Sequence, residues 1–179
     1  MIMSPGLRKF ALIVHLTVSV GWIGAVIAYL ALVIAAMNSA DDQMVRTALT
    51  AMKLIGLYAI IPLALASLVT GLIMALGTKW GLFRHYWVIF SLVLTIIAVG
   101  ILLEHMHPAS FLAGVTAEAH NGGRLREALP SELLHAGVGL LVLMVVQVLN
   151  VYKPRGVTPY GWRKQQEQRI TSPAGDSVT

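Results

Sequence analysis

The sequence predicts an all-α membrane protein, a bundle of four transmembrane helices with both termini in the cytoplasm. Hydrophobic residues make up 57% of the 179-residue chain and charged residues only 12%, whereas a soluble domain carries roughly 25% charged residues. Four apolar runs are long enough to cross a bilayer, and basic residues concentrate on one side of them. Too few polar side chains remain to cover a water-soluble core.

Each apolar run reaches the roughly 20 residues that a membrane helix needs. The predicted spans cover residues 10–37, 54–76, 85–106 and 132–152 of a membrane domain formed by residues 1–153. Between them lies a predicted outer loop over residues 107–131, and residues 154–179 form a polar cytoplasmic tail. The first run is too long for the hydrophobic part of a signal peptide.

Local signals refine these spans. Asp41 or Asp42 is the predicted N-cap of a helix that continues into the second span. Within that span Pro62 is expected to bend the helix. Ser131 is the predicted cap of the fourth helix, after a turn at Asn121-Gly122-Gly123.

The basic residues set the orientation. One side of the predicted bundle holds Arg8, Lys9, Lys79, Arg84, Lys153, Arg155, Arg163, Lys164 and Arg169, and the other holds Arg46, Lys53, Arg124 and Arg126. The richer side is expected in the cytoplasm. The formal net charge of +5 therefore follows from topology, so the expected partner is the lipid bilayer and no nucleic acid is expected.

The histidines carry the candidate chemistry, because ionisable residues within a membrane are costly and face the protein interior. His15 shares a helical stripe with Ser19, Trp22 and Tyr29. It could bind a cofactor, or it could bond a neighbouring hydroxyl or carbonyl group. The absence of cysteine excludes disulfides, thiolate metal sites and covalently attached c-type haem.

His135 lies one turn into the fourth predicted span, with Gly139 a further turn along. A glycine beside a histidine leaves room for a flat ligand, or allows tight helix packing around Gly137 and Gly139. Glu132 and His135 together form a single Glu-x-x-His pattern, which occurs often by chance.

Depth divides the histidines into an inner pair, His15 with His85, and an outer cluster of His105, His107 and His135. Two such groups indicate two b-type haems and electron transfer across the membrane, although one haem or one metal site is also consistent with the spacing. Arg84 could bind a haem propionate or anchor the chain at the inner face.

Two alternatives differ in class from the haem hypothesis. Copper or zinc could be held at the outer face by the outer histidine cluster. Alternatively the chain is a non-catalytic membrane subunit whose histidines only pack. A redox role would require a redox partner or a quinone, and a homo-oligomer remains open.

Three stretches give the chain a resemblance to an uncharacterised family of small bacterial integral membrane proteins with four helices. They are Ser67–Gly71, Gly77–Trp87 (GTKWGLFRHYW) and Val151–Gly161 (VYKPRGVTPYG). The pattern of His15 followed by Trp22-Ile23-Gly24 also resembles the first helix of copper-resistance D-type domains and of membrane haem-binding protoporphyrinogen oxidases. These resemblances imply a bacterial cytoplasmic (inner) membrane and a haem ligand at His15.

Overall fold

The computed structural model describes residues 3–78, 81–105 and 122–171. Its helices are α1 (Pro5–Asn38), α2 (Asp42–Ile55), α3 (Ile61–Gly77), α4 (Tyr86–His105), α5 (Gly122–Tyr152) and α6 (Pro159–Thr171), and a π-helical turn (Gly56–Ile60) joins α2 to α3. Within these residues, four helices are long and apolar enough to cross a membrane: Pro5–Asn38, Asp42–Gly77, Tyr86–His105 and Arg126–Tyr152. The prediction of four such helices is confirmed.

The helices surround a common interior. α1 packs against α3 and α5, and α4 packs against the same two helices, so α1 and α4 lie diagonally across the bundle. The chain starts and α5 ends at one end of the bundle, here called the termini end. The α1–α2 connection and the last residue of α4 lie at the other end, here called the loop end.

The second span is one long helix with a π-helical turn. Asp41 caps it, as predicted, because its carboxylate accepts a hydrogen bond from Gln43 N at 2.9 Å. Pro62 is the second residue after the π-helical turn. A proline removes one helical hydrogen bond, and a π-helical turn is one way to absorb that irregularity. The irregularity that the sequence predicts at Pro62 therefore lies in the π-helical turn before it.

The fourth span starts earlier than the sequence predicts. α5 begins at Gly122 and runs through Pro130, so residues 122–131 are helical where an outer loop was expected, and Ser131 is not a helix cap. Arg126 explains part of this extension: it donates to the Ser39 and Ala40 carbonyls and to the Asp42 carboxylate. These bonds fix the start of α5 against the α1–α2 connection.

The predicted polar tail also contains structure. Residues 159–171 form α6, which is joined to the turn before α4 by Thr158. The Thr158 amide donates to Arg84 O at 3.0 Å, and its hydroxyl donates to Phe83 O at 2.5 Å. A Cβ added at Gly161 would lie 2.4 Å from Arg84 O, so only glycine allows this close approach. Thus the second and third resemblance motifs contact each other.

Candidate functional site

Two cavities lie one above the other along the bundle. The His15 cavity, at the termini end, is lined from α1, α3, α4 and α5 and has a volume of about 200 Å³. Towards the loop end is the His135 cavity of about 400 Å³, lined mainly from α1, α4 and α5. Trp22 and Leu143 line both cavities. Both side chains are buried, so they form the partition between the two spaces.

The His15 ring is held by a different helix. Its Nδ1 lies 2.9 Å from Thr70 Oγ1 on α3. Thr70 Oγ1 also lies 2.7 Å from Ala66 O, which can only accept. Both bonds are satisfied when Thr70 donates to Ala66 and accepts from a proton on His15 Nδ1. Nε2 is then the unprotonated nitrogen, available as a ligand or hydrogen-bond acceptor.

Small residues make room for this ring. A Cβ added at Gly71 would lie 3.2 Å from His15 Cε1, which is tighter than ordinary contact. One turn along α1, Ser19 Oγ lies 2.9 Å from Ser67 Oγ on α3. The stripe of His15, Ser19, Trp22 and Tyr29 therefore faces the other helices, as the sequence predicts.

The His135 ring is held by its own helix. Its Nδ1 donates to the Ser131 carbonyl oxygen at 2.8 Å, because a carbonyl can only accept. The proton is again on Nδ1, and Nε2 is again the available nitrogen. The ring lines the His135 cavity together with Gly139.

Glu132 links three helices beside this ring. It accepts a hydrogen bond of 2.6 Å from the Tyr29 hydroxyl on α1. From α4 the His105 Nε2 reaches both carboxylate oxygens, at 3.0 and 3.1 Å. The His105 and His135 rings stack with their centroids 4.7 Å apart. The sequence marked Glu132 only as part of a weak pattern, and its partners come from distant parts of the chain.

Gly137 and Gly139 of α5 do not make tight helix contacts. A Cβ added at Gly137 or Gly139 would meet nothing within 4 Å. The tight packing that was one of the two possibilities is therefore not found at these glycines, and Gly139 lines the His135 cavity.

The remaining predicted site residues are placed apart. His85 follows the turn before α4 and directly precedes that helix. It forms an isolated β-bridge with Val157, and its ring lies 6.4 Å from that of Trp87. Arg84 lies in the same turn, packed over Gly81. Neither residue lines the His15 or the His135 cavity, so the structure does not bring His85 to His15.

The metal hypothesis names one residue that lies outside the described part of the chain, His107. Within the described residues, no group of three or more His, Asp or Glu side chains is arranged to hold a metal ion. His105 and His135 are adjacent, but Glu132 occupies the His105 Nε2.

Several polar residues of the site were missed by the sequence analysis. Ser91, Gln147 and Asn150 line the His15 cavity from α4 and α5. Each lies within an apolar run and carries no charge. A search for ionisable residues within the membrane spans therefore does not find them. A polar side chain at helical spacing from the cavity histidines was the available signal.

Comparison of the chain with known protein families, with curated proteins and with solved structures finds no match.

Proposed function

We propose that this chain is a haem b-binding membrane protein with an electron-transfer role, and that His135 supplies the iron ligand. The proposal rests on the hydrogen bond that fixes the orientation and the protonated nitrogen of the His135 ring. Its Nδ1–H is committed to the Ser131 carbonyl, which leaves Nε2 unprotonated at the wall of a large apolar cavity. In proteins generally, a histidine that binds a metal through one ring nitrogen donates a hydrogen bond from the other nitrogen, and that bond orients the ring.

The surroundings of His135 suit a flat apolar cofactor. A volume of about 400 Å³ lies in the range of cofactor pockets, roughly 300–1,000 Å³. Gly139 leaves open space one turn from the ligand, and Ile97, Ile101 and Val138 supply apolar walls. When bound, haem would supply the one-electron chemistry, while these residues would contact its apolar faces. His135, Ile97, Ile101 and Val138 are exposed at the side of the bundle, so this cavity also opens laterally.

This arrangement would supply the haem with a single histidine ligand. His105 is the nearest second candidate, but its Nε2 is bound to Glu132 and its ring lies against that of His135. We therefore expect the reduced protein to bind carbon monoxide, as haem with one proximal histidine does. A spectrum with two histidine ligands and no response to carbon monoxide would contradict this assignment.

The test is the Soret absorbance per protein after haem reconstitution. We expect the absorbance to be lost in His135→Ala and kept in His85→Ala, a matched substitution outside both cavities. Loss in His15→Ala but not in His135→Ala would move the haem to the other cavity. A parent protein without a chromophore would contradict the haem function, and metal analysis of the same sample would then test copper or zinc.

We further propose that both termini lie in the cytoplasm of a bacterium and that the chain spans its inner membrane. The support is the excess of basic residues at the termini end. Gln43 and Gln166 are both exposed, at opposite ends of the bundle. Because the chain has no cysteine, single Gln43→Cys and Gln166→Cys variants can be labelled selectively. An impermeant thiol reagent should label only the first in intact cells, and labelling of the second alone would reverse the orientation.

A further inference from the structure

The His15 cavity is too small for a porphyrin. An engineered cavity of about 150 Å³ holds benzene, and the His15 cavity measures about 200 Å³. It therefore has room for a single substituted ring. This size separates it from the His135 cavity and points to a different class of ligand.

Among the polar residues that line this space, His15 and Ser91 lie on opposite walls. His15 on α1 presents Nε2, a hydrogen-bond acceptor, because its proton is committed to Thr70. Ser91 on α4 is 6% exposed, and its hydroxyl has no hydrogen-bond partner among the described residues. A buried hydroxyl without a partner is costly. Since α1 and α4 lie diagonally across the bundle, a ring with oxygens on opposite edges could bond both.

The cavity opens towards lipid. Leu12 and Leu16 of α1 and Val151 of α5 line it and are also exposed on the surface of the bundle. A long apolar tail on the ring could leave between these helices into the bilayer. Among the described residues, Lys153, just beyond the end of α5, is the ionisable residue that lines the cavity besides His15, so the interior favours a neutral ligand.

We infer that the His15 cavity binds a membrane quinol. One quinol hydroxyl donates to His15 Nε2, and the oxygen on the opposite edge of the ring accepts from the Ser91 hydroxyl. This binding site is separate from the haem site proposed above, and quinol binding does not require haem.

The redox state of the ligand gives the sharpest test. A quinone has no hydroxyl to donate to His15, but it can still accept from Ser91. A short-tailed benzoquinone and its quinol should therefore both bind the detergent-purified full chain, and the quinol should bind roughly three- to tenfold more tightly, the effect of one hydrogen bond. Trp22 and Trp87 line the cavity, so tryptophan fluorescence and thermal stabilisation both report binding.

Single substitutions test separately the ligand's contact with His15 and its contact with Ser91. His15→Ala should abolish the preference for the quinol, whereas Ser91→Ala should weaken both forms by a similar factor, roughly two- to tenfold. His85→Ala, outside the cavity, should keep the parent values. If His15→Ala does not fold, Thr70→Val retains the imidazole but removes the hydroxyl that fixes its proton, and the preference should shrink.

Two results would overturn the inference: no saturable binding of either form by the parent, or an unchanged quinol preference in His15→Ala and Thr70→Val. The Soret absorbance of the same samples is read separately. Loss of haem only in His15→Ala would overturn the quinol assignment as well as the haem site at His135. A parent that binds quinol but no haem would contradict the proposed function alone.

Discussion

The two cavities hold their histidines in different ways. His135 donates to a carbonyl one turn back on its own helix, and that bond forms wherever α5 is helical. His15 donates to a hydroxyl on another helix, over the space that Gly71 leaves. The His135 ring is therefore set by local structure, and the His15 ring by the packing of α1 on α3. We expect a substitution at a contact between helices to change the His15 cavity more than the His135 cavity. Glu132 is the exception, because its contacts between helices lie beside His135.

The largest effect should come from Glu132, which gives the His135 cavity its own contacts between helices. Glu132→Ala leaves the Tyr29 hydroxyl and His105 Nε2 without their shared acceptor. Hydrogen bonds between membrane helices contribute about 0.6 kcal/mol on average and up to about 1.7. We expect a loss of about 1–3 kcal/mol in the free energy of unfolding, measured by denaturation in one detergent.

Two controls accompany this measurement. Tyr29→Phe removes one of the donors and should cost about half as much. Glu104→Gln changes an exposed carboxylate at the end of the same span as His105 and should be near neutral. Equal losses in Glu104→Gln and Glu132→Ala would show that charge, and not the bonds between helices, determines the stability.

An intermediate effect is expected from the two cavity glycines. Gly71→Ala places a methyl group 3.2 Å from the His15 ring, whereas Gly139→Ala meets nothing within 4 Å. In a helix, alanine is favoured over glycine by roughly 0.5–1 kcal/mol. Gly139→Ala should therefore raise the free energy of unfolding. In Gly71→Ala the close contact with the His15 ring should cancel this gain and weaken quinol binding.

A larger side chain at the same position separates folding from ligand binding. Gly139→Leu should fill part of the His135 cavity and reduce haem uptake while the helical circular dichroism is kept. Gly100→Leu is the matched control, since a Cβ there also meets nothing within 4 Å and Gly100 does not line this cavity. Equal haem uptake by the two variants would argue against a haem beside Gly139.

The smallest effect concerns the imidazole protons. Thr70→Val removes the acceptor of His15 Nδ1–H, so both tautomers of His15 should become populated. Ser131→Ala keeps the carbonyl that holds His135, so that tautomer should not change. Nitrogen chemical shifts of labelled histidine measure both. A mixed His135 tautomer in Ser131→Ala would show that the serine hydroxyl, 3.3 Å from Nδ1, determines the state of that ring.

The sequence could predict features that depend on local structure, but not those that depend on contacts between helices. Spans of apolar residues, the Asp41 cap and the stripe through His15 follow from composition and local spacing, and the structure has all three. The start of α5 at Gly122 depends on Arg126 bonds to residues far away in the chain. Thr70 and Ser91 are ordinary helix residues until packing brings Thr70 to the His15 ring and Ser91 to the wall of the His15 cavity. No local pattern encodes these partners.

The partition of Trp22 and Leu143 has an electrical consequence. For each electron that a quinol in the His15 cavity passed to a haem in the His135 cavity, one proton would leave the quinol to solvent. The electron would move along the membrane normal, through a part of the bilayer that screens charge poorly. Moving one charge across the full membrane changes its energy by about 2.3 kcal/mol per 100 mV, and a partial crossing changes it proportionately. In vesicles reduced with quinol, an imposed diffusion potential should therefore shift the fraction of reduced haem. No shift would place both sites at the same electrical depth, whereas a shift would show that the proposed transfer moves charge through part of the membrane potential.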